Sequence, residues 1–375
     1  MKVLFVLTYY HPHWTGLTQY AKRVAEGLTK RDFEVRVLTT RHEDYLPSNE
    51  IIEGVRVLRS NVWFRLSRTM ISLDLVWRIV REIMSVDKVI AFLPFAEVAW
   101  AGLWAKLLGK KMWLVHNGDL VLPAGIGNRI LEKIYDESTQ LAIKLSEGIV
   151  IHTEDYAENS RLLSKFRDKW KVILPPIAKM KTEKQELEKL RKKLRPNGFK
   201  IVGFAGRFVE EKGFDILLKS IPDVVKHVPN VKFFFAGEMH VAYENFFEKS
   251  KELFEKYKKF IISAGRLKLS EMANFYKVCD VFVISSRSDC FPVTQIEAMF
   301  CFVPVVVTDI PGARWPVKQT GMGIVVERHS PLALAEGIVE VLNNVQKYKY
   351  NFGRVKKIFD YKKSIDDYEK LIKQN

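Results

Sequence analysis

Arg207 and Lys212 stand five positions apart in Gly206-Arg207-Phe208-Val209-Glu210-Glu211-Lys212-Gly213, just after the apolar run Ile201–Ala205. A guanidinium of fixed fork geometry and a mobile ammonium at one strand end make a receptor for a diphosphate. A second constellation runs from Ser285 to Met299. There a buried strand ends, a loop carries Asp289, a helix starts near Val293, and Glu297 follows eight positions after Asp289. The amides at a helix N-terminus favour an anion. Two carboxylates instead accept hydrogen bonds from hydroxyls. Together these residues predict a phosphorylated ligand between two domains, with a sugar at one end, a ribose at the other and phosphates over the helix N-terminus.

Two weaker signals lie in the first half. The turn Tyr9-Tyr10-His11-Pro12-His13-Trp14-Thr15-Gly16 opens a helix, and Gly16 could let backbone amides approach an anion. Read alone, it is as readily a plain strand-to-helix turn. His116 ends an apolar strand in Val115-His116-Asn117-Gly118-Asp119 and so faces the crevice where open α/β sheets bind ligands. No G-x-G-x-x-G with a downstream acid is present, which argues against a nicotinamide oxidoreductase. No D-x-D ends a strand, so no required metal is expected.

These residues need a scaffold, and the sequence spells one out. Short β-branched runs alternate with helical patterns: Val3–Thr8, Glu34–Thr39, Val55–Leu58, Lys88–Leu93, Lys111–His116, Gly148–His152 and Lys171–Leu174 read as strands. After Pro175-Pro176 comes a Lys/Glu-rich helix, Thr182–Leu194, and then the alternation restarts with Ile201–Ala205, Val231–Ala236, Phe260–Ser263, Val281–Ser285 and Val305–Thr308. That is the pattern of parallel sheets with helices on both faces. Two doubly wound α/β halves joined near Pro175–Lys179 are predicted. The boundaries expected are 1–175, 176–355 and a C-terminal helix, 356–375, that packs back on the first domain. Val89–Ala105 is apolar enough to mimic a short membrane span, but Glu97 and Pro94 predict a strand, a proline turn and a buried helix.

Composition narrows the partners. The net charge is +16, with 25 basic against 20 acidic residues up to position 175 and the rest of the excess beyond. Acidic membranes, nucleic acids and phosphorylated small molecules would all suit it. The basic stretches Lys179–Lys200 and Lys347–Asn375 lack an RNA-motif pattern, and no helix-turn-helix or zinc-finger signature occurs, so nucleic acid is not expected. The three cysteines at 279, 290 and 301 have no framework spacing and predict a reducing, cytoplasmic compartment. The opening V-L-F-V-L reads as a first strand rather than a leader.

At this point Gly206–Gly213 (G-R-F-V-E-E-K-G) and Ser286–Thr308 (S-R-S-D-C-F-P-V-T-Q-I-E-A-M-F-C-F-V-P-V-V-V-T) resemble the retaining glycosyltransferases of family 4. That family has the GT-B fold, two Rossmann-like domains facing a cleft. The likeness implies that Arg207 and Lys212 bind the donor diphosphate, Glu297 the ribose, and Asp289 the sugar hydroxyls. It puts His116 near the C6 hydroxyl, Gly16 under the phosphates, and Phe291, Val293 and Thr294 in the donor pocket. His116, Asp289, Arg207 and Lys212 would form the catalytic set. Four departures stand out: Asp289 replaces the usual Glu, Thr15-Gly16 a double glycine, Phe302 a glycine, and Pro175-Pro176 the usual hinge. The implied activity is retaining hexosyl transfer from a UDP-, GDP- or ADP-linked sugar to a sugar, glycan or lipid-linked acceptor, without a cofactor. A nucleotide-sugar epimerase or sugar phosphorylase on the same scaffold, and a non-catalytic basic membrane-binding protein, stay open. Trp63-Phe64-Arg65-Leu66-Ser67-Arg68 either meets an anionic membrane from the inner face or is a loop whose rings cover the domain's own core, ahead of an amphipathic helix, Ile71–Met84.

Overall fold

The chain divides into two units, Met1–Pro176 with Tyr361–Asn375, and Ile177–Asp360. The computed structural model describes residues 1–66, 69–122, 125–195, 198–241 and 244–374.

Unit 1 begins with β1 (Lys2–Val6), α1 (Gly16–Thr29), β2 (Glu34–Arg41), β3 (Asn49–Ile52) and β4 (Val55–Asn61). A short hairpin, β5 (Phe64–Leu66) and β6 (Thr69–Ile71), precedes α2 (Leu73–Met84). Then come β7 (Lys88–Leu93), α3 (Val98–Leu107), β8 (Lys111–His116), α4 (Ile126–Leu145), β9 (Gly148–Ile151), α5 (Glu154–Asn159) and β10 (Trp170–Val172). The eight-stranded sheet has the order β10-β9-β8-β7-β1-β2-β4-β3 and is parallel except for β3. From β1 the chain moves outward one way, then returns past β1 to β7 and moves the other way. Loops after β1 and β7 therefore diverge at the carboxyl edge, which leaves a crevice there.

Strand residues alternate between two cores. α2, α3 and α4 cover one face through Ile79, Ala101 and Ile143 among others. α1 covers the opposite face with Tyr20, Ala21, Val24 and Leu28. Thr15 caps α1: its hydroxyl accepts from the Thr18 amide, and the Thr18 hydroxyl accepts from the Thr15 amide at 2.9 Å. This reciprocal capping box fixes where the helix starts. α2 starts two residues later than the sequence predicts, because Ser72 accepts from the Leu75 amide at 3.1 Å and ends the extended segment.

Unit 2 contains α6 (Lys184–Leu194), β11 (Lys200–Ala205), α7 (Phe214–His227), β12 (Val231–Ala236), α8 (Phe246–Tyr257), β13 (Ile261–Ser263) and α9 (Leu269–Val278). It continues with β14 (Val281–Ile284), α10 (Val293–Phe300), β15 (Val305–Thr308), α11 (Arg314–Thr320), β16 (Gly323–Val326), α12 (Pro331–Asn343), α13 (Val345–Lys349) and α14 (Phe352–Ile358). Its six strands are all parallel in the order β13-β12-β11-β14-β15-β16. The reversal falls between β11 and β14. The core is rich in aromatic rings: Phe204, Phe208, Phe214 and Phe235 are in mutual edge or tilted contact, and Phe254 tilts onto Phe214.

The last helix, α15 (Tyr361–Lys373), returns to unit 1 and lies on α1. Tyr368, Leu371 and Ile372 are buried there, the Tyr368 and Tyr20 hydroxyls are hydrogen-bonded, and Arg31 pairs with Asp366 at 2.5 Å and Glu369 at 2.6 Å. Unit 2 thus ends at Asp360 and not at 355, because α14 packs on α10 and α11 and the chain leaves only after Phe359, which is buried.

The segment around Trp63 also departs from expectation. The rings of Trp63 and Phe64 do not cover the core of unit 1: they are 65% and 55% exposed. The chain here forms the β5–β6 hairpin instead of a loop, and a two-stranded ribbon leaves its flanking side chains uncovered. Ser67 and Arg68 lie outside the described residues. Val89–Ala105 is the strand, turn and helix expected of it. Among the described residues no helix is long and apolar enough to cross a membrane.

Candidate active site

In unit 2, Arg207 and Lys212 leave the carboxyl end of β11, and Asp289 and Glu297 follow β14. These strands are hydrogen-bonded neighbours through Val202↔Val281 and Gly203↔Phe282. The two motifs, about eighty residues apart in sequence, therefore meet at the topological switch point.

Backbone contacts weld the loops together. Gly213 has φ +62°, and a Cβ there would lie 1.9 Å from the Ser285 carbonyl oxygen. Only glycine fits, so the turn before α7 rests directly on the end of β14. Gly312 repeats the device: φ is +83°, and a Cβ would lie 1.9 Å from the Cys290 carbonyl oxygen. The Ser285 hydroxyl donates to the Lys212 carbonyl at 3.0 Å, and the Arg287 amide donates to the Glu211 carbonyl at 2.7 Å. Arg287 also forks onto Asp215 with two bonds of 2.8 Å. Burial works against charge on Asp215, but Arg287, with Lys219 adding to it, holds the carboxyl below its usual range.

Within this frame Lys212 Nζ donates to Asp289 Oδ2 at 2.5 Å. Burial opposes the ammonium, yet Asp289 and Glu211 outweigh it and raise its pKa. Lys212 therefore stays charged at neutral pH. Arg207 lies 3.8 Å from Glu211 and its side chain is 40% exposed. Phe291 is buried, while Val293 and Thr294 begin α10 half-buried. Glu297 is not a solvated helix residue: it is 8% exposed, and the Tyr276 hydroxyl donates to its Oε2 at 3.0 Å. The site thus offers two cations, the amino end of an eight-residue helix and two anchored carboxylates. That array can bind an anion and orient hydroxyls beside it.

Sequence reasoning missed the supports. Tyr276 sits near the end of α9, and nothing in its local pattern points to Glu297. The Arg287–Asp215 fork was detectable only as an Asp two residues after the K-G pair and an Arg two residues before Asp289.

In unit 1, His116 closes β8 and is buried, with Nε2 3.4 Å from Asp119 Oδ1. Asp119 is itself fixed by the Ser160 hydroxyl at 2.8 Å and the Arg161 amide at 3.2 Å. Burial pushes its carboxyl up, but His116, Ser160 and Arg161 prevail and hold it below the usual range. The sequence indicated His116, though not the carboxylate three residues on that lies beside it. Gly16 is the first residue of α1, at the carboxyl edge beside β1, with open space around the position of a Cβ. Its backbone does not demand glycine, so Gly16 is no steric requirement within this unit. Among the described residues no group of three or more His, Cys, Asp or Glu side chains could hold a metal ion.

Comparison with known proteins adds a lineage to this geometry. Residues 14–178 match the family model Glycosyltransferase Family 4, and residues 185–354 match Glycosyl transferases group 1. An uncharacterized glycosyltransferase of Methanocaldococcus jannaschii is 26% identical over 93% of this chain and 90% of its own length. The capsular polysaccharide biosynthesis glycosyltransferase CapM of Staphylococcus aureus is 30% identical over 166 residues, 44% of this chain and 42% of that protein. Among solved structures, sucrose-phosphate synthase from Thermosynechococcus elongatus superposes with a TM-score of 0.81 at 15% identity, covering 99% of this chain and 98% of that one. Anabaena HepE in complex with UDP-glucose gives 0.78 at 17% identity, covering 99% of both chains. With two Rossmann-like units, a switch-point site and model matches along both halves, the chain is a glycosyltransferase of the GT-B type, family 4 in its first half and group 1 in its second.

Proposed function

We propose that the protein transfers a sugar from a nucleoside-diphosphate sugar to a hydroxyl of a sugar, glycan or lipid-linked acceptor, with retention of anomeric configuration. The observation that carries this reading is that Arg207 and Lys212, which follow β11, and Asp289 and Glu297, which follow the neighbouring β14, gather at the switch point of unit 2, with Lys212 paired to Asp289. The donor's anomeric C–O bond breaks and its diphosphate leaves with growing negative charge. Arg207, Lys212 and the amino end of α10 supply positive charge for that leaving group, and fixed positive groups accelerate its departure. Asp289 has two parts here: it keeps Lys212 protonated, and its other oxygen accepts from a sugar hydroxyl. Glu297, fixed by Tyr276, accepts from the ribose. His116, which lies beside Asp119 in unit 1, is the residue we assign to the sugar's C6 hydroxyl.

No side chain is assigned as a nucleophile. The acceptor hydroxyl attacks from the face the diphosphate leaves, its oxygen bonds to the anomeric carbon, and its proton passes to a departing phosphate oxygen. The positive charge comes from the protein, so the reaction proceeds without a metal.

A thermal-shift screen with UDP-, GDP- and ADP-sugars identifies the donor, because a ligand bound only by the native state stabilises it as RT ln(1 + [L]/Kd). UDP-glucose is the first donor to test, since HepE was solved with it. Proton NMR of the first-formed product, in the presence of EDTA, then reads the anomer. An α-linked product from an α-linked donor is expected. A β-linked product, or donor hydrolysis or epimerisation with no transfer to any acceptor, would count against the proposal.

A further inference from the structure

The outward face of unit 1 is composed unlike an ordinary helix surface. α3 packs against both α2 and α4, and all three bury their inner stripes in the same core on one side of the sheet. Their outer stripes should then be polar. On α2, however, Leu73, Trp77 and Met84 fall on one line along the helix and are 50%, 73% and 56% exposed. On α4, Ile126, Ile130 and Ile134 recur every four residues and are 81%, 55% and 58% exposed. Of the 16 exposed residues on the three helices, nine are large and apolar, five are Lys or Arg, and Glu137 is the single acid.

We infer that unit 1 docks on an anionic lipid bilayer through this face, with α2, α3 and α4 lying in the plane of the membrane. An apolar stripe flanked by cations is what an interfacial helix needs: aliphatic side chains enter the acyl boundary while Lys and Arg reach up to phosphate headgroups. Trp77 is the residue type that prefers this boundary. The charge balance selects the occupant. A second copy would bring the same cations against this face, and like charges across a symmetric interface repel. An anionic bilayer complements them. Among the described residues no helix is long and apolar enough to cross a membrane, and the contact inferred is a peripheral one. The inference rests on unit 1 alone and holds whichever donor and acceptor the enzyme uses.

Full-length protein is sedimented with vesicles of phosphatidylglycerol and phosphatidylcholine, and with phosphatidylcholine alone. The wild type should partition into the anionic vesicles at least ten-fold more strongly, and less so at high salt. Trp77→Ser with Ile130→Ser, and separately Arg129→Glu with Lys133→Glu, should each lower partitioning at least ten-fold while the melting temperature stays put, since all four side chains are on the surface. Equal, weak partitioning of the wild type into both vesicles overturns the proposal. So does wild-type binding by the apolar double variant, which would reduce the contact to loose electrostatic adsorption. A concentration-dependent dimer by light scattering that Trp77→Ser abolishes would assign the face to a second copy instead.

Discussion

The proposed reaction divides labour between two carboxylates, and the division can be tested one residue at a time. Glu297 is buried and held by Tyr276, whereas Asp289 is held by Lys212. Glu297→Gln should therefore weaken binding of a free nucleoside diphosphate about ten-fold, the scale of one charge-assisted hydrogen bond. Asp289→Asn should leave that binding within about three-fold and depress transfer, because its proposed partner is the sugar. Calorimetric titration with the free nucleotide separates the two, and equal losses would show the roles to be misassigned. A third carboxylate answers to pH. Burial at the start of α3 pushes Glu97 up from 4.5 to about 7. Between those values the folded protein holds a proton that the unfolded chain has lost, so stability falls as pH rises through that window and then levels off. Glu97→Gln removes the cost: it should match the wild type near pH 4.5 and melt higher at pH 8. A shift of the same size at both pH values would mean that the carboxyl's ionisation is not the cause.

At the scale of elements, much was legible because strands buried on both faces are written as unbroken apolar runs. Lys88–Leu93, Lys111–His116, Val231–Ala236 and Val305–Thr308 end where their β-branched and aromatic runs end. Elements that depend on partners were not legible. β3 is a half-exposed edge strand paired antiparallel to β4, β5 and β6 have three residues each, and β16 is marked only by G-I-V-V after a glycine turn. The site followed the same rule: charged residues at strand ends announce themselves, while Tyr276 and the Arg287–Asp215 fork exist only through tertiary contact. Phe302 is a departure that the structure accounts for. It has φ +63°, a conformation suited to glycine, and its ring stacks on Phe352 with centroids 3.7 Å apart. Glycine there would relieve ~1–2 kcal/mol of left-handed backbone cost and forfeit a ring pair worth ~0.5–1.5 kcal/mol. Phe302→Gly should thus unfold in urea close to the wild type, and Phe302→Ala, which keeps the strain and loses the ring, should be less stable by about 1 kcal/mol. The reverse order would contradict this account.

At the scale of the molecule, sequence order and structural order part company at the end of the chain. The last fifteen residues belong with the first 176, and α15 lends unit 1 four nearly fully buried side chains, Ile365, Tyr368, Leu371 and Ile372. At about 1.5–3 kcal/mol for each such side chain, their loss rivals the whole stability of a typical domain, about 5–15 kcal/mol. A chain truncated after Asp360 should lose or sharply weaken the melting transition of unit 1 and keep that of unit 2. Scanning calorimetry with limited proteolysis assigns the transitions, and an unchanged unit 1 would show that α15 is a dispensable tail.

The proposed chemistry depends on a diphosphate held at the switch point of unit 2. Its most direct test is isothermal titration of UDP, GDP and ADP, with the matching monophosphates, into the wild type and into Arg207→Ala/Lys212→Ala. At least one diphosphate should bind the wild type, ten-fold or more tighter than its monophosphate. Two charge-assisted contacts of roughly 1.5–3 kcal/mol each should make the double variant weaker by a hundred-fold or more, with its fold intact by circular dichroism. A wild type that binds no diphosphate, or a double variant that binds as tightly as the wild type, would contradict the claim.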